Sequence, residues 1–262
     1  MATETIERRF AAIGARVKVV KAPRRNPWQP SGLLDVVTDG RGEYFEFRLV
    51  GRRGISLSVV DEDRDERCLL LLVRERGEKS KFLCGFDERH WFVAAVPESV
   101  SGVGSVEAAK IALQPDLVRE KIARVRPKDR FARRNVAYVR QGEWFFLPQW
   151  TLEVDEQDVL HNEPLTRGHG KAHILELAYR RGGETVYVDD EHPTGITQEE
   201  FWALPRSRQK GDWYEMVRNP ELYAKGAVRH PDHNTIVLHF WHRVLMNTEQ
   251  GARAMRHVAF LD

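Results

Sequence analysis

From residue 16 to residue 96 the chain is a succession of short apolar stretches joined by links rich in Gly, Asp and Arg. Parallel neighbours in a sheet need a crossover of a dozen or more residues, and these links are too short for one. Antiparallel pairing is therefore expected. Arg16-Val17-Lys18-Val19-Val20, Tyr44-Phe45-Glu46-Phe47-Arg48-Leu49 and Ile55-Ser56-Leu57-Ser58-Val59 alternate apolar and polar residues, the period of a half-buried strand. Residues 33–37 are short and apolar, and residues 68–73 form a continuous apolar run that reads as a central strand. Residues 81–84 and 91–96 flank Gly85-Phe86-Asp87-Glu88-Arg89-His90, which reads as a hairpin turn.

Helical spacing appears at three places in this half. Ile6, Phe10 and Ile13 recur on one face, with Thr3 as a cap. Val106, Ala109, Lys110, Ile111 and Leu113 form a second helical stretch, and Pro115 opens a third carrying Leu117, Val118, Ile122 and Val125. A basic stretch follows, and the domain boundary is placed near residue 130. The second half is again strand-like. Residues 143–147 are aromatic and apolar, residues 172–179 and 184–188 flank a hairpin signal at Arg181-Gly182-Gly183, and Val228, residues 236–238 and 243–246 read as strands. Thr197-Gln198-Glu199-Glu200 has the spacing of a capping box. The pattern predicts an α+β fold of largely antiparallel sheets. An N-terminal meander with helices spans residues 1–130 and a β-rich domain spans residues 131–262.

Composition narrows the class. The chain has 262 residues, 42% hydrophobic and 31% charged, which suits a soluble globular protein with a sizeable core. A net charge of +2 points to neither nucleic acid nor an anionic membrane by itself. No apolar run approaches the roughly 18 residues of a membrane span. Glu4, Glu7, Arg8 and Arg9 leave no apolar signal core near the N-terminus. A cytoplasmic protein without a membrane partner is expected, with Cys68 and Cys84 as free buried thiols.

The chemistry concentrates in the second half. Nine of the ten histidines lie between residues 161 and 262, two of them in His230-Pro231-Asp232-His233. Pro at the second position of a type I turn brings the first and fourth residues within about 7 Å. A hairpin tip there presents both imidazoles together. With Arg140-Gln141-Gly142-Glu143, Gly170-Lys171-Ala172-His173 and the polar ending Asn247-Thr248-Glu249, residues 133–250 resemble an uncharacterised bacterial and phage family. Its pattern is an Arg-Gln-Gly-acid start, a Gly-His-Ala-His segment and a His-Pro-acid-His turn. The resemblance implies shared ancestry and no particular activity. Lys171 stands where the family pattern has its first His, so a metal site built on both histidines would lack one ligand here.

A catalytic zinc or iron site takes about three protein ligands and one open position. The candidates are His173, His230 and His233, with Glu176 and His242 in reserve. On a regular strand His173 and Glu176 point to opposite faces, which favours His173. His169 precedes His173 by a helical spacing, against which Gly168 and Gly170 argue. Three further readings of these histidines stay open: a metal-dependent, hydrolase-like site, metal-free acid–base chemistry, or turn and core residues without a ligand. Arg140 either orients a site residue through Glu143, holds an anion, or belongs to a charged turn in which Gly142 supplies an unusual backbone angle. The competing functional class is a binding module. Arg130, Arg133, Arg134 and Arg140, within a basic segment spanning residues 119–140 and interleaved with Phe131 and Tyr138, would contact nucleic-acid phosphates, or exposed aromatics would meet a protein partner. Cys84, Asp87 and His90 recur every three residues, which a strand–turn–strand explains without a metal.

Overall fold

The computed structural model describes residues 2–20, 33–49, 54–167 and 171–251. The first half contains helix α1 (Ala2–Ala12) and strands β1 (Val17–Val20), β2 (Leu34–Asp39), β3 (Gly42–Arg48), β4 (Ile55–Asp63), β5 (Cys68–Glu75), β6 (Glu78–Asp87) and β7 (His90–Val96). Helices α2 (Val106–Ala112) and α3 (Asp116–Ile122) lead to β8 (Val139–Gln141), β9 (Trp144–Pro148), β10 (Leu160–Leu165) and β11 (His173–Arg181). Then come β12 (Glu184–Val188), β13 (Ile196–Thr197), α4 (Gln198–Ala203), α5 (Arg206–Gln209), β14 (Tyr214–Arg218), β15 (Glu221–Arg229) and β16 (Ile236–Met246). Among these residues no helix is long and apolar enough to cross a membrane.

Among the described residues the strands form four sheets, and all pairings but one are antiparallel. The exception is β1, which runs parallel to β3 on the edge opposite β2. The sheet β4-β5-β6-β7 is covered on both sides. One face packs Leu69, Leu71, Phe82 and Cys84 against Phe10 of α1 and Phe45 and Phe47 of β3. The other packs Cys68, Leu70 and Leu83 against Val106, Ala109 and Ala112 of α2. That double burial explains the unbroken apolar run of β5, and each fully buried Leu or Phe contributes about 1.5–3 kcal/mol. It also puts the two free cysteines on opposite faces, where they cannot meet. Ser105 caps α2 by accepting from the Ala108 amide.

The second half is organised by the six-stranded sheet β10-β11-β15-β16-β9-β8. Along β9, Trp144 and Phe146 enter one core cluster with Leu175 and Val228, while Phe145 and Leu147 enter another with Val118 and Ile122 of α3 and with Tyr138. Alternation with both faces buried gives the aromatic run seen in the sequence. The signal at Arg181-Gly182-Gly183 does not make a hairpin. β11 takes β10 and β15 as its neighbours, and β12 pairs with β13 and β14 in a separate small sheet. Both glycines have positive φ, +64° and +97°, and turn the chain out of the large sheet. Thr197 and Glu200 form the reciprocal capping box at the start of α4.

Candidate metal centre

Three connections of the large sheet meet at one end. β11 begins at His173, the loop 230–235 joins β15 to β16, and Gly142-Glu143 joins β8 to β9. Gln141 pairs across that last turn with Trp144, and Gly142 has φ +56°. Gly at the first position is what a type II′ hairpin turn demands. Gln141 is 1% exposed and donates through Nε2 to the carbonyls of Val228, at 3.3 Å, and Asn234, at 2.7 Å. The β8–β9 turn is thereby pinned under the histidine loop. That loop is longer than a type I turn and is closed by the Asp232 amide donating to His230 Nδ1 at 3.2 Å.

His173, His230 and His233 come together. One ring nitrogen from each lies within 4.8 Å of the other two. The His173 ring stacks on His230 at 4.2 Å and on His233 at 5.6 Å between centroids. Tetrahedral zinc at 2.0–2.1 Å from each nitrogen needs separations of about 3.3 Å, so the rings would have to close by up to about 1.5 Å around an ion. Neither ring nitrogen of His173 has a hydrogen-bond partner among the described residues, although the residue is 2% exposed. A Cβ built on Gly142 would lie 2.9 Å from His233 Nε2 and 3.6 Å from His173 Nε2. Glycine therefore leaves a space that both Nε2 atoms border. The residues fit a divalent ion through the unpartnered nitrogens of His173 and the room beside them, while His230 would bind it by giving up its contact with the Asp232 amide or the Lys171 carbonyl.

Burial keeps the triad neutral. The His173 imidazole is pushed down to about 3 by burial, with His230 and His233 adding to the shift. Burial likewise lowers His230 and His233, against the raising influence of Asp232 on both. Neutral imidazole is the form that binds metal. His230 Nε2 lies 3.3 Å from the Lys171 carbonyl. The Lys171 ammonium sits on Asp232, at 2.8 Å and 2.9 Å from its two oxygens.

The reserve ligands lie elsewhere. The β11–β15 register shifts between Leu175 and Leu177, and Glu176 Oε2 accepts the Ala227 amide at 2.6 Å beside Gly226. His242 is buried, stacks on Phe240 and lies 2.8 Å through Nδ1 from the Phe240 carbonyl. Gly168, His169 and Gly170 lie outside the described residues.

The basic segment docks on the first half. Arg133 pairs with Asp87 and Glu88, and Arg140 lies 3.2 Å from Asp87. Arg134 donates to the Val237 carbonyl and Arg130 to the Val125 carbonyl. Asp87 ends β6 and Glu88 opens the β6–β7 turn, where Glu88 Oε2 also lies 3.4 Å from His233 Nδ1, outside hydrogen-bond geometry. A cavity of about 430 Å³ separates the halves. Phe92 and Leu113 line it from one side, Phe145 and Arg167 from the other, and Gly142 and His233 reach it from the histidine cluster.

Three features of this region were not legible as chemistry: the contact of Gly142 with the histidines, the approach of Glu88 to His233, and the buried ion pair of Arg167 with Glu249 at 2.9 Å. Gly142 and Glu249 stood inside recognisable motifs, whereas nothing in sequence marked Glu88 or Arg167. No family model, curated protein or solved structure matches this chain, so the site is defined by its own geometry.

Proposed function

We propose that His173, His230 and His233 hold one divalent ion, zinc or iron, with the remaining position open toward the cavity, and that the site is hydrolytic. The observation that carries this reading is His173, buried with both ring nitrogens unpartnered. A buried polar atom left unsatisfied costs about 1–3 kcal/mol, and a ligand removes that cost. An all-imidazole donor set suits zinc and iron. The chemistry such an ion supplies is Lewis acidity toward a polar group entering from the cavity. The protein's share is to hold three neutral imidazoles, to keep Gly142 out of the way and to present apolar walls. The lowered His173 speaks against metal-free acid–base work, which is best served by a group titrating near the working pH. In the family pattern that the second half resembles, a histidine stands at the place of Lys171. Here that side chain is engaged with Asp232, which supports three protein ligands.

Elemental analysis of the purified protein, and zinc or iron titration after chelator treatment, test the reading. One ion per chain is expected, with most of it lost in His230→Ala while the fold persists, because His230 sits in a loop and adds little core packing. A chain without metal that shows no thermal shift with zinc, iron, manganese or nickel would refute it.

A further inference from the structure

We infer that Glu88 is a positioning residue for this centre, so that the first half completes a site whose ligands all come from the second. The inference rests on the metal reading above. Glu88 and Arg89 are the two turn residues between β6 and β7, since Asp87 pairs directly with His90. Both reach the histidine loop. Arg89 donates to Asn234 Oδ1 at 2.9 Å, and Glu88 Oε2 accepts the Asn234 amide at 2.9 Å. Glu88 holds φ +52°, a region that costs a non-glycine residue about 1–3 kcal/mol and persists where surrounding contacts over-determine it. Its side chain is 8% exposed, with one oxygen paired to Arg133 and the other 3.4 Å from His233 Nδ1.

An imidazole has one proton to place. A carboxylate beside Nδ1 keeps the proton there and leaves the lone pair on Nε2. His233 Nε2 is the atom that borders the space beside Gly142, together with Nε2 of His173. The carboxylate is thus on the outer nitrogen and the lone pair faces inward, the arrangement by which outer carboxylates orient metal-bound histidines. The 3.4 Å approach becomes a hydrogen bond when the His233 ring turns so that Nδ1–H points at Oε2.

The test uses the intact chain. Glu88→Gln keeps the size and an acceptor oxygen for Asn234 but removes the charge. Arg89→Ala breaks the neighbouring contact between the halves and leaves the carboxylate in place. Zinc affinity is measured by competition with a chromophoric chelator, and the His233 tautomer by long-range nitrogen–proton NMR on chelator-treated protein. Glu88→Gln should bind zinc about 10–100-fold more weakly and lose the preference for Nδ1–H, while Arg89→Ala stays close to wild type on both. Wild-type affinity and tautomer in Glu88→Gln would overturn the inference and leave the metal reading standing. An equal loss in Arg89→Ala would reduce Glu88 to a docking contact. A wild-type chain that takes no zinc would overturn both readings together.

Discussion

Replacing Gly142 with alanine adds one methyl group at the point where the three histidines and the β8–β9 turn meet. Two costs follow, and they can be separated. The backbone cost comes from φ +56°, where an L side chain is disfavoured by about 1–2 kcal/mol. The contact cost comes from the methyl carbon, which would sit 2.9 Å from His233 Nε2 and force the ring aside by several tenths of an ångström. Overpacking of that kind costs about 1–3 kcal/mol. Gly182→Ala is the control. Its φ is +64°, and a methyl group there meets nothing within 4 Å, so it carries the backbone cost alone. Urea melts of chelator-treated protein should show both variants destabilised, Gly142→Ala by the larger amount. Zinc competition should separate them completely. Metal–ligand distances tolerate about 0.2 Å, so a displaced His233 should weaken zinc at least about tenfold in Gly142→Ala and not at all in Gly182→Ala. Wild-type zinc affinity in Gly142→Ala would refute the claim that both Nε2 atoms face a shared ion beside this glycine.

Three further outcomes are expected. His173 titrates near 6.5 when unfolded and near 3 when folded, so below pH 6.5 the unfolded chain binds a proton that the folded chain does not. Stability of the metal-free protein should therefore fall between pH 7 and pH 5, by about 2 kcal/mol from this group, and His173→Leu should remove that share of the loss in urea melts at the two pH values. Glu249→Ala leaves Arg167, 5% exposed, without its partner and should cost about 3–5 kcal/mol, whereas replacing both with leucine should recover most of it; an intact melting temperature in the single variant would show that the pair is dispensable. Because Arg133 and Arg140 are committed to Asp87 and Glu88, we expect no retention on immobilised DNA at low salt, and salt-sensitive retention abolished by Arg130→Ala, Arg133→Ala and Arg134→Ala together would favour the nucleic-acid reading.

The sequence by itself determined what depends on neighbouring residues. Alternation in β3 and β4, the unbroken run of β5, the spacing of Ile6, Phe10 and Ile13, and the Thr197–Glu200 capping box are local patterns. Each was readable because backbone geometry repeats every two or 3.6 residues. The histidine triad was legible as three histidines in two motifs, since a Pro-Asp loop between strands gathers His230 and His233 locally. Partner choice was decided only by the tertiary structure. β12 leaves β11 for β14, and β1 runs parallel to β3, because edge pairing is settled by which apolar faces must be covered and not by any signal within the strand. The surroundings of the triad are long-range in the same way. Glu88 meets Asn234 across 146 positions, and Glu249 accepts the Ala95 amide across 154. No periodicity extends that far. Whether a glycine leaves room beside two imidazoles, or a carboxylate sits on the outer nitrogen of a third residue, is fixed by how two sheets pack, and packing is a property of the whole chain.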